Sequence, residues 1–280
     1  MSDPSGEPSG DWVNQPLTIF PPALILIRTA EALHNLDEEH KNTRDPGLTP
    51  EGIAQCQRLR EHLQTILSGH IVNRIVVSPM RRCMETALHA LDWLHDEGVP
   101  IEANALWQEM YKKPCYTGRP VEELQADKTF DRIDFSYLDP VWPDKSTRTY
   151  FHSRRCILER GQRAIHDLTG RGDGIVIAVS HNGFMRTGLT GRWTANGDYR
   201  VYSLVHSFRL NRLSWLPFSG YGVIEHDGME AGAMGRSSTM QININALAAD
   251  ATFLPSDETF APVDGSFAPV DESFTLVDEN

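Results

Sequence analysis

Long hydrophobic runs are missing from this 280-residue chain. No stretch approaches the roughly 18 uninterrupted apolar residues that a membrane span requires, so no membrane association is expected. Residues 1–16 are rich in Ser, Gly, Pro and Asp and lack an apolar segment, which argues against a secretory signal. Cysteine is scarce. Cys56, Cys83, Cys115 and Cys156 are scattered without metal-like spacing, and three of them fall inside amphipathic helical patterns or beside a proline. Reduced thiols in a soluble, cytoplasmic protein are the expectation, with no metal site. An excess of basic residues is also lacking, and with it any footprint for nucleic acid. The formal net charge is -12, but the acidity sits at the two ends. Asp3, Glu7 and Asp11 stand without a base in residues 1–16, and eight more acids without a base in residues 250–280. Residues 17–249 are left close to neutral.

What the chain does contain is organised in three parts. Residues 1–16 read as a disordered arm and residues 17–249 as one domain. Residues 250–280 read as a disordered acidic tail with a period of seven, Asp-Glu-Thr-Phe-Ala-Pro-Val from Asp257, with related copies from Asp264 and Asp271. A proline in each of the first two copies disfavours a continuous helix or coiled coil. The functional alternative is a short Phe/Val motif offered three times to a protein partner, where repetition raises avidity.

Within the domain, strand and helix signals alternate. Residues 23–27 form a short continuous apolar run, as suits a strand buried on both faces. Thr49-Pro50-Glu51 is a helix start: an N-cap, a proline in the first turn and an acid near the positive end of the dipole. Ile53, Cys56, Leu59, Leu63 and Ile66 follow at spacings of three and four and predict one apolar face. Residues 74–77 predict a second strand. Residues 79–94 predict a helix with Met84, Leu88, Leu91 and Trp93 or Leu94 inward. A helix over residues 152–168 precedes a strand at 175–179. This rhythm predicts an α/β fold, a three-layer α/β/α sandwich with a mostly parallel central sheet. Ligands bind beyond the carboxyl ends of such strands. Arg28-Thr29, the segment from Ser78 to Arg82, and Ser180-His181 all fall just past predicted strand ends, which predicts one shared pocket.

Four segments in order then carry a family resemblance: Leu26-Ile27-Arg28-Thr29-Ala30-Glu31, Ser78-Pro79-Met80-Arg81-Arg82, Trp107-Gln108-Glu109, and Val179-Ser180-His181-Asn182-Gly183. Together they resemble the histidine phosphatase superfamily, in particular its phosphoglycerate mutase branch. Asp45-Pro46-Gly47-Leu48-Thr49 with Gly52 and Gln55 is similar to that family's helix entrance. The stretch from Pro114 to Gly118 resembles one seen in fungal-type members. The resemblance implies that Arg28 and Arg82 grip an anionic group. It implies that His181 donates to the same oxygens, that Glu109 protonates the leaving oxygen, and that Asn35 belongs to the anion site. It further implies that Arg44, Cys115 and Thr117 shape the substrate mouth, and it calls for no cofactor. Where the family carries its nucleophilic histidine, this chain has Thr29. His34, five residues on in a predicted loop, is a candidate substitute.

A threonine hydroxyl needs a base to attack at all, and its phosphate ester would resist hydrolysis. The expectation is therefore an anion pocket for a small phosphorylated or carboxylated metabolite, with Glu109, His181 and Thr29 at its centre. Acid/base chemistry such as elimination, dehydration or isomerisation replaces phosphohistidine transfer. The alternatives are a non-catalytic pseudophosphatase that binds and scaffolds, and a weak phosphatase in which water attacks directly.

Overall fold

The computed structural model describes residues 22–169, 174–206, 221–229, 231–242 and 244. The expected arm (1–16) and the repeat tail (250–280) lie outside these residues.

Among the described residues, seven strands form one sheet: β1 (Ala23–Arg28), β2 (Val72–Val77), β3 (Ile101–Ala103), β4 (Ile133–Asp134), β5 (Ile175–Ser180), β6 (Tyr199–His206) and β7 (Tyr221–Glu225). Their order is β4-β3-β2-β5-β1-β6-β7. The pairs from β4 to β1 are parallel. β6 and β7 are added antiparallel at one side. The helices are α1 (Pro50–Ile66), α2 (Arg81–Asp96), α3 (Val121–Ala126), α4 (Arg154–Thr169) and α5 (Asn182–Met185). Among the described residues, no helix is long and apolar enough to cross a membrane.

The unbroken apolar run of β1 has a direct physical reason. Ala23, Ile25 and Ile27 pack into one core with residues of α1 and α2, including Cys56, Leu59, Met84 and Leu91. Leu24 and Leu26 pack on the other face with Ile157, Ala164, Ile165 and Leu168 of α4. Period-two alternation sends successive side chains to opposite faces, so a strand covered on both sides must be apolar throughout. Three layers result.

Local signals set the helix starts. Thr49 caps α1 by accepting from Gly52 N at 2.9 Å, with Pro50 in the first turn. Ser153 Oγ accepts from Cys156 N at 3.2 Å ahead of α4, which starts two residues later than predicted. α2 also starts two residues late, at Arg81, and its cap comes from a remote side chain: Arg81 N donates to Asp45 Oδ1 at 2.9 Å. One face differs from expectation. Ile53 is 37% exposed, and the buried stripe of α1 is Gly52, Gln55, Cys56, Leu59 and Leu63. A Cβ on Gly52 would overlap Glu31 O, so the helix lies against the backbone at that point. The inward direction is therefore set at Gly52, and Ile53 is rotated about 100° away from it. On α2, Met84, Leu91 and Leu94 are buried, while Leu88 and Trp93 pack at the margin.

Candidate functional site

The parallel register brings the three strand ends together. Thr29 N donates to Ser180 O at 2.8 Å and Ser78 N to Val179 O at 3.0 Å, so the residues after β1, β2 and β5 lie side by side. Glu109 follows a 3-10 turn (Ala105–Trp107) after β3, and Ser180 Oγ ties that turn to β5 by donating to Trp107 O at 2.7 Å. Arg28, Thr29, Asn35, Arg82, Glu109 and His181 line one cavity of about 110 Å³. That is room for several waters or for a small anionic molecule in their place.

Both expected clamp arginines are partly held from behind. Arg28 Nη1 donates to Thr194 O at 2.8 Å, and its guanidinium lies 5.4 Å from the Trp193 ring centre. Arg82 is 1% exposed, with Nη1 donating to Cys115 O at 2.9 Å and Nη2 to His181 Nδ1 at 3.0 Å. An arginine cannot accept, so His181 Nδ1 is the acceptor and the ring proton sits on Nε2. Nε2 lies 2.8 Å from Ser78 Oγ and donates to it. Both ring nitrogens of His181 are therefore committed inside the protein, and in this arrangement neither offers a donor to a bound anion. Burial first, then Arg82 and Lys145, hold His181 well below the ordinary histidine range.

Thr29 is 4% exposed. Its hydroxyl lies 3.2 Å from Ala30 O and 3.3 Å from Thr86 Oγ1. Thr86 Oγ1 uses its own proton on Arg82 O at 2.7 Å, so Thr29 is the donor to both neighbours. Among the described residues, no base accepts the Thr29 proton. Glu109 is held through Oε1, which accepts from Met110 N at 2.8 Å and Phe184 N at 3.1 Å. A Cβ on Gly183 would crowd that same oxygen at 2.6 Å, so glycine there permits the approach. Behind Glu109 lies Lys145, 5% exposed, donating to the carbonyls of Glu109, Tyr111 and Tyr116 at 2.6–2.7 Å.

His34 sits on a 3-10 turn (Leu33–Asn35) where a loop was expected, and it lines the cavity. Burial, then the charges of Arg82, Arg28 and Lys41, push its pKa down to about 2. His34 and His181 thus fold as neutral rings, whereas in the unfolded chain both titrate near the ordinary value of about 6.5. The unfolded state binds more protons below that value, so stability is present above pH 6.5 and is lost as pH falls. Between pH 7.5 and 5.5 the two rings together are expected to remove about 2–3 kcal/mol. Urea titrations at the two values check this, and substituting His34→Asn should roughly halve the loss.

The structure corrects the expected mouth. Arg44 turns Nε and Nη2 onto Gly118 O at 3.1 and 2.7 Å, Cys115 is buried, and Thr117 Oγ1 donates to Lys113 O at 3.2 Å. None of the three lines the cavity. Met110, Tyr111 and Tyr116 do, because Cys115 points into the protein from the turn Pro114–Tyr116 and leaves Tyr116 facing the space. Sequence reading also missed Arg186, Thr187 and Asn196. Arg186 carried a usable signal, since it lies four residues after Asn182, on the same helical face. Asn196 carried none: it arrives on a loop and donates to Thr29 O at 3.0 Å. All four cysteines are buried and free. Cys83, 3.5 Å from His181 Nε2, is pushed up to about 12 by burial.

Residues 24–215 match the model of the histidine phosphatase superfamily (branch 1). A phosphoglycerate mutase-like protein of Arabidopsis thaliana is 27% identical over 197 residues, 57% of this chain and 70% of that one. Among solved structures, the ecdysone phosphate phosphatase of Bombix mori in complex with tungstate is similar with a TM-score of 0.45. It is 20% identical, over 59% of this chain and 74% of that one. YhfR of Bacillus stearothermophilus has a TM-score of 0.44 and 15% identity, over 73% and 96%.

Proposed function

The chain belongs to the histidine phosphatase superfamily, and on that premise we propose that it binds a small phosphorylated or carboxylated metabolite and acts on it by acid/base chemistry. Elimination, dehydration or isomerisation takes the place of phosphohistidine transfer. One observation carries this reading. Arg28, Arg82 and Glu109 line a single cavity, while the Thr29 hydroxyl beside them is bound to Ala30 O and Thr86 and, among the described residues, makes no hydrogen bond to a base. An unactivated hydroxyl is a poor nucleophile, and a phosphothreonine once formed would be among the slowest esters to hydrolyse.

Each residue then has a role that its surroundings permit. Arg28 and Arg82 hold the anionic group, since guanidinium forks match phosphate and carboxylate oxygens and stay charged. Glu109 is the group that moves a proton, with Oε1 fixed by two backbone N–H groups. His181 holds Arg82 by accepting from Nη2 and is itself anchored on Ser78. Asn35 closes the wall beside His34.

Vanadate or sulfate at about a hundred times its Kd is expected to add about 2.7 kcal/mol of stability, which raises the melting temperature by roughly 5–10 °C. The Arg82→Gln variant should lose that rise. A shift equal in both proteins would overturn the anion clamp. Turnover separates the three readings. Conversion of a non-phosphorylated acid without phosphate release supports the acid/base enzyme. Phosphate release supports direct attack by water. Binding with no conversion leaves a non-catalytic binding protein.

A further inference from the structure

The cavity contains a cation that neither clamp nor fold accounts for. Arg186 lines it from the π-helical turn Arg186–Thr190 that continues α5. Among the described residues, its guanidinium makes no hydrogen bond or ion pair, and its Nε is closed off from solvent without a partner. Other half-buried arginines of this chain are paired: Arg192 with Glu225 at 2.9 Å, and Arg119 with Asp127 at 3.4 Å and Asp45 at 3.6 Å. A partly desolvated guanidinium without a counter-charge is costly unless a ligand supplies one. Arg160 is also unpaired, but it is enclosed over the Phe184 ring at 4.2 Å and does not reach the cavity.

The neighbours of Arg186 are donors. Asn182, one helical turn earlier, accepts from Thr194 N at 3.0 Å through Oδ1. That bond leaves the Asn182 amide N–H groups without a described partner. Thr187 lines the cavity beside it. Charge points the same way. Three guanidinium groups, Arg28, Arg82 and Arg186, line the cavity with one carboxylate, Glu109, while His34 and His181 are neutral.

We propose that Arg186, with Asn182 and Thr187, forms a second anion subsite, and that the ligand carries two anionic groups on a short carbon chain. One group lies between Arg28 and Arg82, as in the function proposed above, on which this inference rests. The other lies at Arg186. Both sets of groups line one small cavity, which suits a ligand whose anionic groups are a few bonds apart.

Two phosphonates test the subsite by calorimetry at constant ionic strength: methylphosphonate, with one anionic group, and phosphonoacetate, with a phosphonate and a carboxylate one carbon apart. The wild-type chain is expected to bind phosphonoacetate at least about tenfold more tightly, the gain of one added charge-assisted fork. Arg186→Gln should abolish that ratio and leave the methylphosphonate affinity within about twofold. Arg186→Lys, which keeps the charge and loses the fork, should give an intermediate ratio and serves if the glutamine variant fails to fold. A ratio near one in the wild type overturns the subsite, and so does a variant that weakens both probes equally. Failure of both probes to bind the wild type overturns the anion-pocket reading itself.

Discussion

Thr29→His is expected to raise the phosphomonoesterase activity of the chain far above that of the wild type. Residue 29 has its backbone pinned, with N donating to Ser180 O at 2.8 Å and O accepting from Asn196 Nδ2 at 3.0 Å. A new side chain must therefore leave from the same point. The adjoining cavity of about 110 Å³ has room for the ring, and Arg28 and Arg82 line it. Burial, helped by the charges of Arg82 and Arg28, should keep an imidazole there neutral and hence nucleophilic, as it does for His34. Phosphoryl transfer to it gives a phosphoramidate that water opens, which a phosphothreonine does not offer. Loss of a nucleophile in other hydrolases costs on the order of 10⁶ in rate, so even partial recovery should exceed the wild type by about 10³. Phosphate release from an aryl phosphate, with an acid-labile phosphoenzyme trapped by rapid quench, measures it. A Thr29→His variant that binds vanadate yet releases no phosphate would mean that the pocket around residue 29 has drifted too.

Lys145→Met is expected to destabilise the domain by at least about 3 kcal/mol, a large share of the roughly 5–15 kcal/mol that holds a domain folded. The ammonium donates to three carbonyls, those of Glu109, Tyr111 and Tyr116. Each loses its partner in the variant, at about 1–3 kcal/mol per buried unsatisfied group. The offset is the relief of burying a cation. Burial and the nearby Arg160 charge push Lys145 well below the ordinary lysine value, yet the three acceptors match the three N–H bonds of the charged form. The same bonds hold the strip that carries Glu109 and Tyr116 against the cavity. The variant should therefore lose vanadate binding at temperatures where it is still folded. A urea midpoint within error of the wild type would show that the strip is held by other means.

Much of the site was legible because its signals are local. The apolar run of residues 23–27, the Thr49 cap with Pro50, and the polar residues just past each strand end can all be read within a few neighbours. The conversion from strand ends to one pocket follows from parallel topology alone. Where reading failed, the deciding contact was remote. Ile53 was expected inward, but the approach of Gly52 to the Glu31 backbone set the rotation of α1. Arg44 was expected at the mouth, but Gly118 O, 74 residues away, captured it.

The sequence by itself determined β1, β2 and β5 with α1, α2 and α4, the strand ends beside which Arg28, Ser78 and His181 stand, and the threonine at position 29. Periodicity and caps act over one or two turns, and the chain spells them out. Only the tertiary structure decided which atoms of those residues remain free for a ligand. It turned both His181 nitrogens inward onto Arg82 and Ser78, buried Lys145 beneath Glu109, and left Arg186 in the cavity without a partner among the described residues. Hydrogen-bond partners are assigned by packing between segments tens of residues apart, and no local pattern records which segment will arrive.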